Sequence, residues 1–341
     1  MPTNDHTPRG HAARYLPECY EGMRDDKDRT EAYRRAIAAA ASGHIVLDIG
    51  TGALALLALF AAEAGAKHVY ALEVQEAAYE AAKATVAASP FADRVTVLHG
   101  FSTDATLTLP AAPTMLVHEL IGEVAGEEGV VAAITDARKR HLSPSATPPL
   151  SIPSRSRSLV APCEFPDAAY CESLPSCLLD VPGQSRALKL LALPMSARLS
   201  SSQTFEDLRF ESASPEASQS SELVFVASRD GMLRGLAIEV ELFCRADGGD
   251  DKPDVSSAWA GSHWRNVLLL LDGETPLTTG RRIKVATKCD LAGARPTYTF
   301  ETWVEEEGIS SWRSLGPPIC YPEAALNVND AMDCLMEQME G

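Results

Sequence analysis

The sequence predicts a protein of class α/β + β: a doubly wound parallel α/β domain followed by a mostly β domain. Three observations carry that expectation. Up to about residue 141, apolar strand-like runs alternate with Ala-rich helix-like runs, the pattern of a parallel sheet with crossover helices. Residues 143–157 (SPSATPPLSIPSRSR) then hold four prolines and five serines, which suits an extended hinge. Beyond the hinge, short alternating runs replace the helices, as in antiparallel sheets. At 341 residues and 45% apolar, the chain is too long for one ordinary core and apolar enough to fill two. The expected division is an N-terminal helical segment over 1–43, an α/β domain over 44–150 and a β-rich domain over 151–341.

The elements follow in order. Asp25 to Ala41 opens with acids and continues in strong helix formers, so it predicts one helix. Ile45–Ile49 is a short apolar strand closed by Gly50-Thr51-Gly52, and Ala53 to Ala64 is a helix that stops at Gly65. His68–Leu72 is a second strand ending in Glu73, Gln75–Ala88 a helix, and Val95–Leu98 and Thr114–Val117 two more strands. An acidic stretch then leads into a helix reaching about His141. In the second domain, strands are expected within Leu223–Ala227, Leu236–Cys244, Val267–Leu271, Ile283–Ala286 and Tyr298–Val304, with residues 200–221 a Ser- and Glu-rich surface loop. The last dozen residues read as a short helix.

Composition excludes several classes of function. There are 30 Lys plus Arg against 47 Asp plus Glu, and 30 − 47 gives a formal charge of −17. An acidic chain is not built to grip nucleic-acid phosphates, so no direct nucleic-acid binding is expected. Eight cysteines without a CxxC pair or zinc-finger spacing read as reduced thiols and predict no metal site. The first residues lack an apolar signal core, and the apolar run Ala53–Ala62 is half of what a membrane span needs. The expectation is therefore a soluble chain of the cytoplasm or nucleus, without a membrane partner.

The turn after the first strand is the first chemical signal. Asp48-Ile49-Gly50-Thr51-Gly52 between a strand and a helix makes an adenosine-binding turn, because glycines let the backbone approach a ligand closely. Glu73 ends the next strand, 21 residues past Gly52, where a carboxylate accepts ribose hydroxyls. Gly50-x-Gly52-x-x-Ala55 can also be fitted to the dinucleotide fingerprint, and a tight turn without any ligand is the plain alternative. The D-x-G-x-G arrangement with a distal acid resembles the S-adenosylmethionine (SAM) methyltransferases, which implies a Rossmann-like SAM-dependent methyltransferase domain.

Further motifs narrow the resemblance. Glu119, Glu123, Glu127 and Glu128 put four carboxylates in ten residues beyond the fourth strand, at the edge where parallel sheets bind ligands. Glu119 and Glu128, nine positions apart, resemble the double-glutamate hairpin of the protein arginine methyltransferases. The stretch Ala137–Leu142 is similar to the segment closing that family's catalytic domain. Tyr20-Glu21-Gly22-Met23-Arg24-Asp25-Asp26-Lys27-Asp28-Arg29 resembles its N-terminal helix, and Ser262-His263-Trp264-Arg265 its Thr-His-Trp loop. The resemblance implies a β-barrel-like second domain and SAM as cofactor. It implies cofactor contacts from Arg29, Asp48, Gly50, Gly52, Glu73 and Ser102, and catalytic roles for Glu119, Glu128, His263 and Met23. Trp264 and Tyr20 are expected to face the substrate. The motif Asp26–Arg29 and the bend Gly126–Gly129 look closest to the monomethylating branch.

The chemistry fits those residue types. A guanidinium is planar, stays protonated, and matches carboxylates through parallel hydrogen bonds. Two glutamates can fix its plane and leave one nitrogen aimed at a sulfonium methyl, with a carboxylate or a His263 relay taking the proton. The implied partner is a basic, arginine-containing protein segment, and by the same resemblance the chain is a homodimer. There are departures. Ala53-Leu54 stands where a third glycine is usual, the adenine-reading acid is replaced within Gly100–Asp104, Ser262 stands for Thr, and Tyr15 and Tyr20 are the candidates for the paired N-terminal aromatics. The segment 167–192, where a dimerisation arm is expected, has no helical pattern. Methylation of another nucleophile, a binding scaffold without turnover, and hydride transfer are the competing functions.

Overall fold

A computed structural model describes residues 17–144, 150–165, 187–190, 193–212, 215–245, 251–306, 308, 311–322 and 325–327. Its first half is a five-stranded parallel sheet in the order β3-β2-β1-β4-β5, formed by β1 (Ile45–Ile49), β2 (His68–Glu73), β3 (Val95–His99), β4 (Met115–His118) and β5 (Leu150–Ile152). Val46, Leu47, Val69, Met115, Leu116 and Val117 are fully buried, as expected of strands covered on both faces. Helices α3 (Leu56–Glu63), α4 (Glu76–Ala88) and α5 (Val130–Arg140) connect the strands.

The N-terminal segment differs from the single helix expected over Asp25–Ala41. It is two helices, α1 (Pro17–Asp25) and α2 (Lys27–Ala40), broken at Asp26, whose carboxylate caps α2 by accepting from the Arg29 amide at 3.0 Å. Composition alone does not stop a helix there; the cap does. Helix α2 buries Ala32, Tyr33, Ala36 and Ile37 on one face, and the Tyr33 hydroxyl donates to the His118 carbonyl at 3.1 Å. That bond pins α2 to the end of β4.

The stretch read as a hinge is more structured than expected. Leu150–Ile152 adds to the parallel sheet beside β4, and β6 (Arg155–Cys163) begins three residues later. The β-rich half has two antiparallel systems. The first runs β17-β7-β12-β10-β6-β8 with β11 beside β10, and joins β17 (Ala325–Asn327) to β7 (Ala187–Leu190) in parallel. Its other members are β8 (Gln203–Arg209), β10 (Gly231–Phe243), β11 (Val255–Ser256) and β12 (Asn266–Leu277). The second contains β9 (Ser218–Val226), β13 (Arg282–Asp290), β14 (Thr297–Glu305), β15 (Trp312–Ser314) and β16 (Ile319–Tyr321). All five β runs read from the sequence fall in these strands, but residues 200–221 are not a loop, because β8 and the start of β9 lie there. Phe210, Phe225, Tyr298, Phe300 and Tyr321 are among the largest fully buried side chains, and Phe210 packs edge-on against His118 of β4. The C-terminal dozen residues, Tyr15 and most of 167–192 lie outside the described residues.

Gly235 sits where the β10–β12 ladder shifts register. A Cβ there would lie 2.6 Å from the Leu269 carbonyl oxygen and 3.0 Å from Leu268 Cδ1, so the strands meet only because it has no side chain. Gly235→Ala is expected to destabilise the protein by about 1–3 kcal/mol in urea titrations, the overpacking penalty outweighing the gain in chain stiffness.

Candidate active site

Sheet register builds the site. Ile49 lies opposite Leu72 of β2 and opposite His118 of β4, so the residues leaving the three strand ends are Gly50, Glu73 and Glu119. The sheet order changes direction between β1 and β4, the switch point where open α/β sheets bind ligands. A cleft opens there, lined in part by Gly50, Leu72, Gly100, Ser102, Glu128 and Ala294.

The glycine turn is a cradle. Gly50 and Gly52 have φ of 76° and 66°, and a Cβ on either would fall 2.9 Å from Leu120 Cδ2 or Tyr20 Cε1 respectively. Glu73 accepts the Gly52 amide and the Gln75 amide at 2.9 Å each, one on each oxygen, which keeps lone pairs for further donors. Asp48 is fully buried, accepts the Thr51 hydroxyl at 2.7 Å, and is pushed up to about 7 by burial; its Oδ1 has no partner. Ala55 takes the left-handed conformation at φ 44° to enter α3. Ser102 is buried at the rim, its carbonyl accepting from His141 Nε2 at 2.9 Å.

Arg29 links the N-terminal helices to the acidic loop. It is 4% exposed, donates to the Met23 carbonyl at 3.2 Å, and pairs with Glu119 at 3.1 Å. Its Nε and Glu119 Oε1 are buried without a hydrogen-bond partner. Met23 thus enters through its backbone carbonyl, with a half-buried side chain. Tyr20 lies over Gly52 rather than facing the acidic loop, and donates to Gln75 Oε1 at 3.4 Å.

The four loop carboxylates divide into two pairs. Glu123 and Glu127 are structural: Lys189 of β7 bridges them at 2.7 and 3.2 Å, and the Tyr321 hydroxyl donates to Glu127. Burial and the hydrogen bond with Glu123 push the Glu127 carboxyl up, while Lys189 and that shared bond hold Glu123 down against burial. Their acidity is spent on docking the loop to the β-rich half, not on the cleft. Glu119 pairs with Arg29 just beyond the end of β4. Glu128 lines the cleft with an exposed side chain, and its carboxyl is pushed up by desolvation at the cleft wall and then by the charges of Glu119 and Glu123.

The second domain reaches the site through residues 262–265. Asp26 accepts the His263 amide and His263 Nδ1, both at 2.9 Å, on the carboxylate that also caps α2. Those donors hold Asp26 below its usual range although burial opposes them. Trp264 is 4% exposed and its indole N–H donates to the Ile121 carbonyl at 2.8 Å. Trp264, expected to face the substrate, is buried beside the acidic loop and holds it through that bond. Ala294, on the turn after β13, meets Gly129 so closely that a Cβ there would lie 3.0 Å from its carbonyl oxygen. Among the described residues no group of His, Cys, Asp and Glu could hold a metal ion, no helix is long and apolar enough to cross a membrane, and Cys19, Cys163, Cys244, Cys289 and Cys320 are free.

Solved structures decide the comparison. Protein arginine methyltransferase 10 of Arabidopsis thaliana superposes with a TM-score of 0.72, covering 90% of this chain and 98% of that one at 19% identity. The fold is that of the protein arginine methyltransferases. The Trypanosoma brucei PRMT1 enzyme-prozyme heterotetrameric complex with AdoHcy gives the same TM-score of 0.72 at 20% identity, over 88% of this chain and 97% of that one. The resemblance to the protein arginine methyltransferases read from the sequence holds in curated relatives as well. Probable protein arginine N-methyltransferase 6 of Arabidopsis thaliana is 35% identical over 151 residues, 43% of this chain and 33% of that protein. Protein arginine N-methyltransferase 6 of Danio rerio is 34% identical over 146 residues, 42% and 40% of the two chains. The chain thus aligns with well under half the length of these arginine methyltransferases. No protein-family model matches it.

The sequence reading missed Lys189 and Tyr321 because their partners are more than 60 and 190 positions away, as with any contact made only by folding. Asp26 was in view but without a role; a carboxyl three residues before Arg29 is a capping signal. Two outcomes follow. Asp26→Ala is expected to lower stability at pH 7 by about 1–3 kcal/mol, from the lost cap and buried hydrogen bonds. Because the Asp26 pKa is lowered on folding, that contribution is complete above the unfolded value near 4 and fades as pH falls through the folded one, so the gap between variant and parent should shrink in acid-titrated unfolding curves. Glu128 has the opposite sign. Its pKa is raised, so ionising it penalises the ligand-free fold as pH climbs above about 4. Glu128→Gln should therefore raise the melting temperature at pH 8.5 and lose that advantage at pH 4.

Proposed function

We propose that this chain transfers a methyl group from SAM to a guanidino nitrogen of arginine in protein substrates. One observation carries the reading. Glu128 lines a cleft with Gly50 of the glycine turn, and Glu119, paired with Arg29, stands just beyond the end of β4 at the same edge of the sheet. The names of the relatives and the bound AdoHcy of the Trypanosoma brucei complex support it.

The residues present fit SAM. Gly50 and Gly52 hold the positive-φ turn at the strand end, Glu73 keeps lone pairs for ribose hydroxyls, Ser102 lines the cleft, and Arg29 Nε is an unpaired donor for a carboxylate. When bound, SAM supplies an electrophilic sulfonium methyl. Glu119 is aligned by Arg29, and Glu128 completes a clamp that fixes the guanidinium plane. Holding that plane orients one nitrogen for in-line transfer, and most of the acceleration is positional. Carboxylates beside the other nitrogens draw the positive charge toward them and leave the attacking one more nucleophilic. The methylated nitrogen must then lose a proton. His263 donates Nδ1–H to Asp26, which leaves Nε2 as an acceptor for that proton. The acidic loop favours encounter with basic segments. A homodimer is part of the same reading.

A binding scaffold without turnover is the second reading, favoured by the Tyr20 ring over Gly52 and by Leu54 in place of a third glycine. SAM calorimetry and mass spectrometry of an arginine- and glycine-rich peptide separate the two. The parent chain should bind SAM and yield methylarginine, and the spectrum also counts the methyl groups added. Glu128→Gln is expected to lower kcat at least 100-fold while SAM affinity changes less than about threefold. Transfer surviving in the double Glu119→Gln, Glu128→Gln variant would overturn the assignment.

A further inference from the structure

One fully buried carboxylate plays no part in the clamp. Glu206 on β8 has no exposed surface, and it faces the acidic loop from inside the β-rich half. Its Oε1 accepts the Tyr298 hydroxyl of β14 at 2.9 Å. Its Oε2 accepts the Ser158 hydroxyl of β6 and the Gly126 amide, the latter at 3.4 Å. The Ser158 oxygen in turn accepts the Ala125 amide at 2.9 Å. Two successive amides of the loop, two and three residues before Glu128, thus end on a carboxylate–hydroxyl pair of the second domain.

Three further features point the same way. Ser158 and Glu206 are register partners, and the β6–β8 ladder slips immediately afterwards, between Ser158 and Leu159, as bulges that re-aim side chains do. Gly126 has no room for a side chain: a Cβ would lie 2.6 Å from Glu206 Oε1 and 2.8 Å from the Tyr298 hydroxyl. Finally, an ionisable group in a barrel core is expensive unless its hydrogen bonds are complete, and an apolar residue of equal volume would stabilise the core as well or better. Stability alone does not account for a carboxylate there. What it provides that leucine cannot is a fixed acceptor for backbone N–H groups.

We infer that Glu206, with Ser158 and Tyr298, is a positioning residue that hooks the Ala125–Gly126 backbone and thereby sets Glu128 in the clamp. The role rests on the proposed methyl transfer for its consequence, but the hook itself is measurable without it. Glu206 touches neither substrate nor cofactor. It acts through two amides and the short chain segment from Gly126 to Glu128. A displacement of about 1 Å at a clamping carboxylate is enough to lower a rate on the order of 100-fold.

The test uses the full chain with Glu206→Ala, Glu206→Gln and Gly126→Ala. Hydrogen exchange, which needs no activity, reads the hook. In Glu206→Ala, the peptide covering 119–130 should exchange at least tenfold faster while peptides of β10 and β13 stay within twofold, and Glu206→Gln should restore most of the protection. In methylation of an arginine-rich peptide, kcat of Glu206→Ala should fall at least tenfold with KM for SAM within threefold, and Glu206→Gln should recover kcat to within about threefold of the parent. Gly126→Ala, which pushes on the hook from the loop side, should repeat the exchange and kcat pattern of Glu206→Ala. Unchanged exchange of 119–130 in Glu206→Ala, or faster exchange spread evenly through the barrel and not rescued by glutamine, would overturn the inference. A parent chain that transfers no methyl would instead overturn the proposed function, leaving the exchange result to decide the hook.

Discussion

Carboxylates that must receive a cation in a protein-walled cleft repel each other and resist ionisation while the cleft is empty. Much of this structure answers that constraint. The acidic loop carries four carboxylates between Glu119 and Glu128. Its own turns, in which the Glu127 amide donates to the Val124 carbonyl and the Gly129 amide to the Gly126 carbonyl, are supplemented from outside. Contacts from both halves hold it in place. Arg29 takes Glu119, Lys189 takes Glu123 and Glu127, Trp264 holds the Ile121 carbonyl, and Ser158 with Glu206 receives the amides of Ala125 and Gly126. Among the described residues Glu128 makes no ion pair, and its carboxyl is pushed up.

That dependence explains why the chain has two parts. The parallel sheet supplies the ends of β1, β2 and β4, where Gly50, Glu73 and Glu119 stand side by side. The anchors of the loop's far side come from β6, β7, β8, β14 and β16, and the 262–265 loop closes the arrangement on Asp26. Asp26 thus joins three things with one carboxylate: the start of α2, the backbone of His263 and the tautomer of its ring. Residues of both halves therefore build the cleft together.

The parallel sheet was legible because strands buried on both faces appear as unbroken apolar runs, and the Gly50–Gly52 turn because glycine at positive φ leaves a chemical signature. The break at Asp26 was not, since good helix formers lie on both sides and only a capping carboxylate separates them. Strand β8 was read as loop for a related reason: its inward positions include Glu206, and a buried carboxylate spoils the apolar alternation that marks a strand. In the acidic loop, Glu119 and Glu128 were identified by spacing and resemblance. Glu123 and Glu127 looked equivalent to them, because nothing local distinguishes a carboxylate that faces a cleft from one that meets a lysine on a strand more than 60 residues away.

The central claim is that Glu128, whose carboxyl is pushed up while the cleft is empty, receives the substrate guanidinium. Calorimetry of an arginine-rich peptide binding to the SAM-loaded chain at pH 7, repeated in buffers of different ionisation enthalpy, measures it directly. A carboxyl pushed up in the empty cleft that ionises on meeting the guanidinium releases protons as the peptide binds. The account predicts that release in the parent chain and its loss in Glu128→Gln. Binding without proton release, or the same release from both proteins, would contradict it.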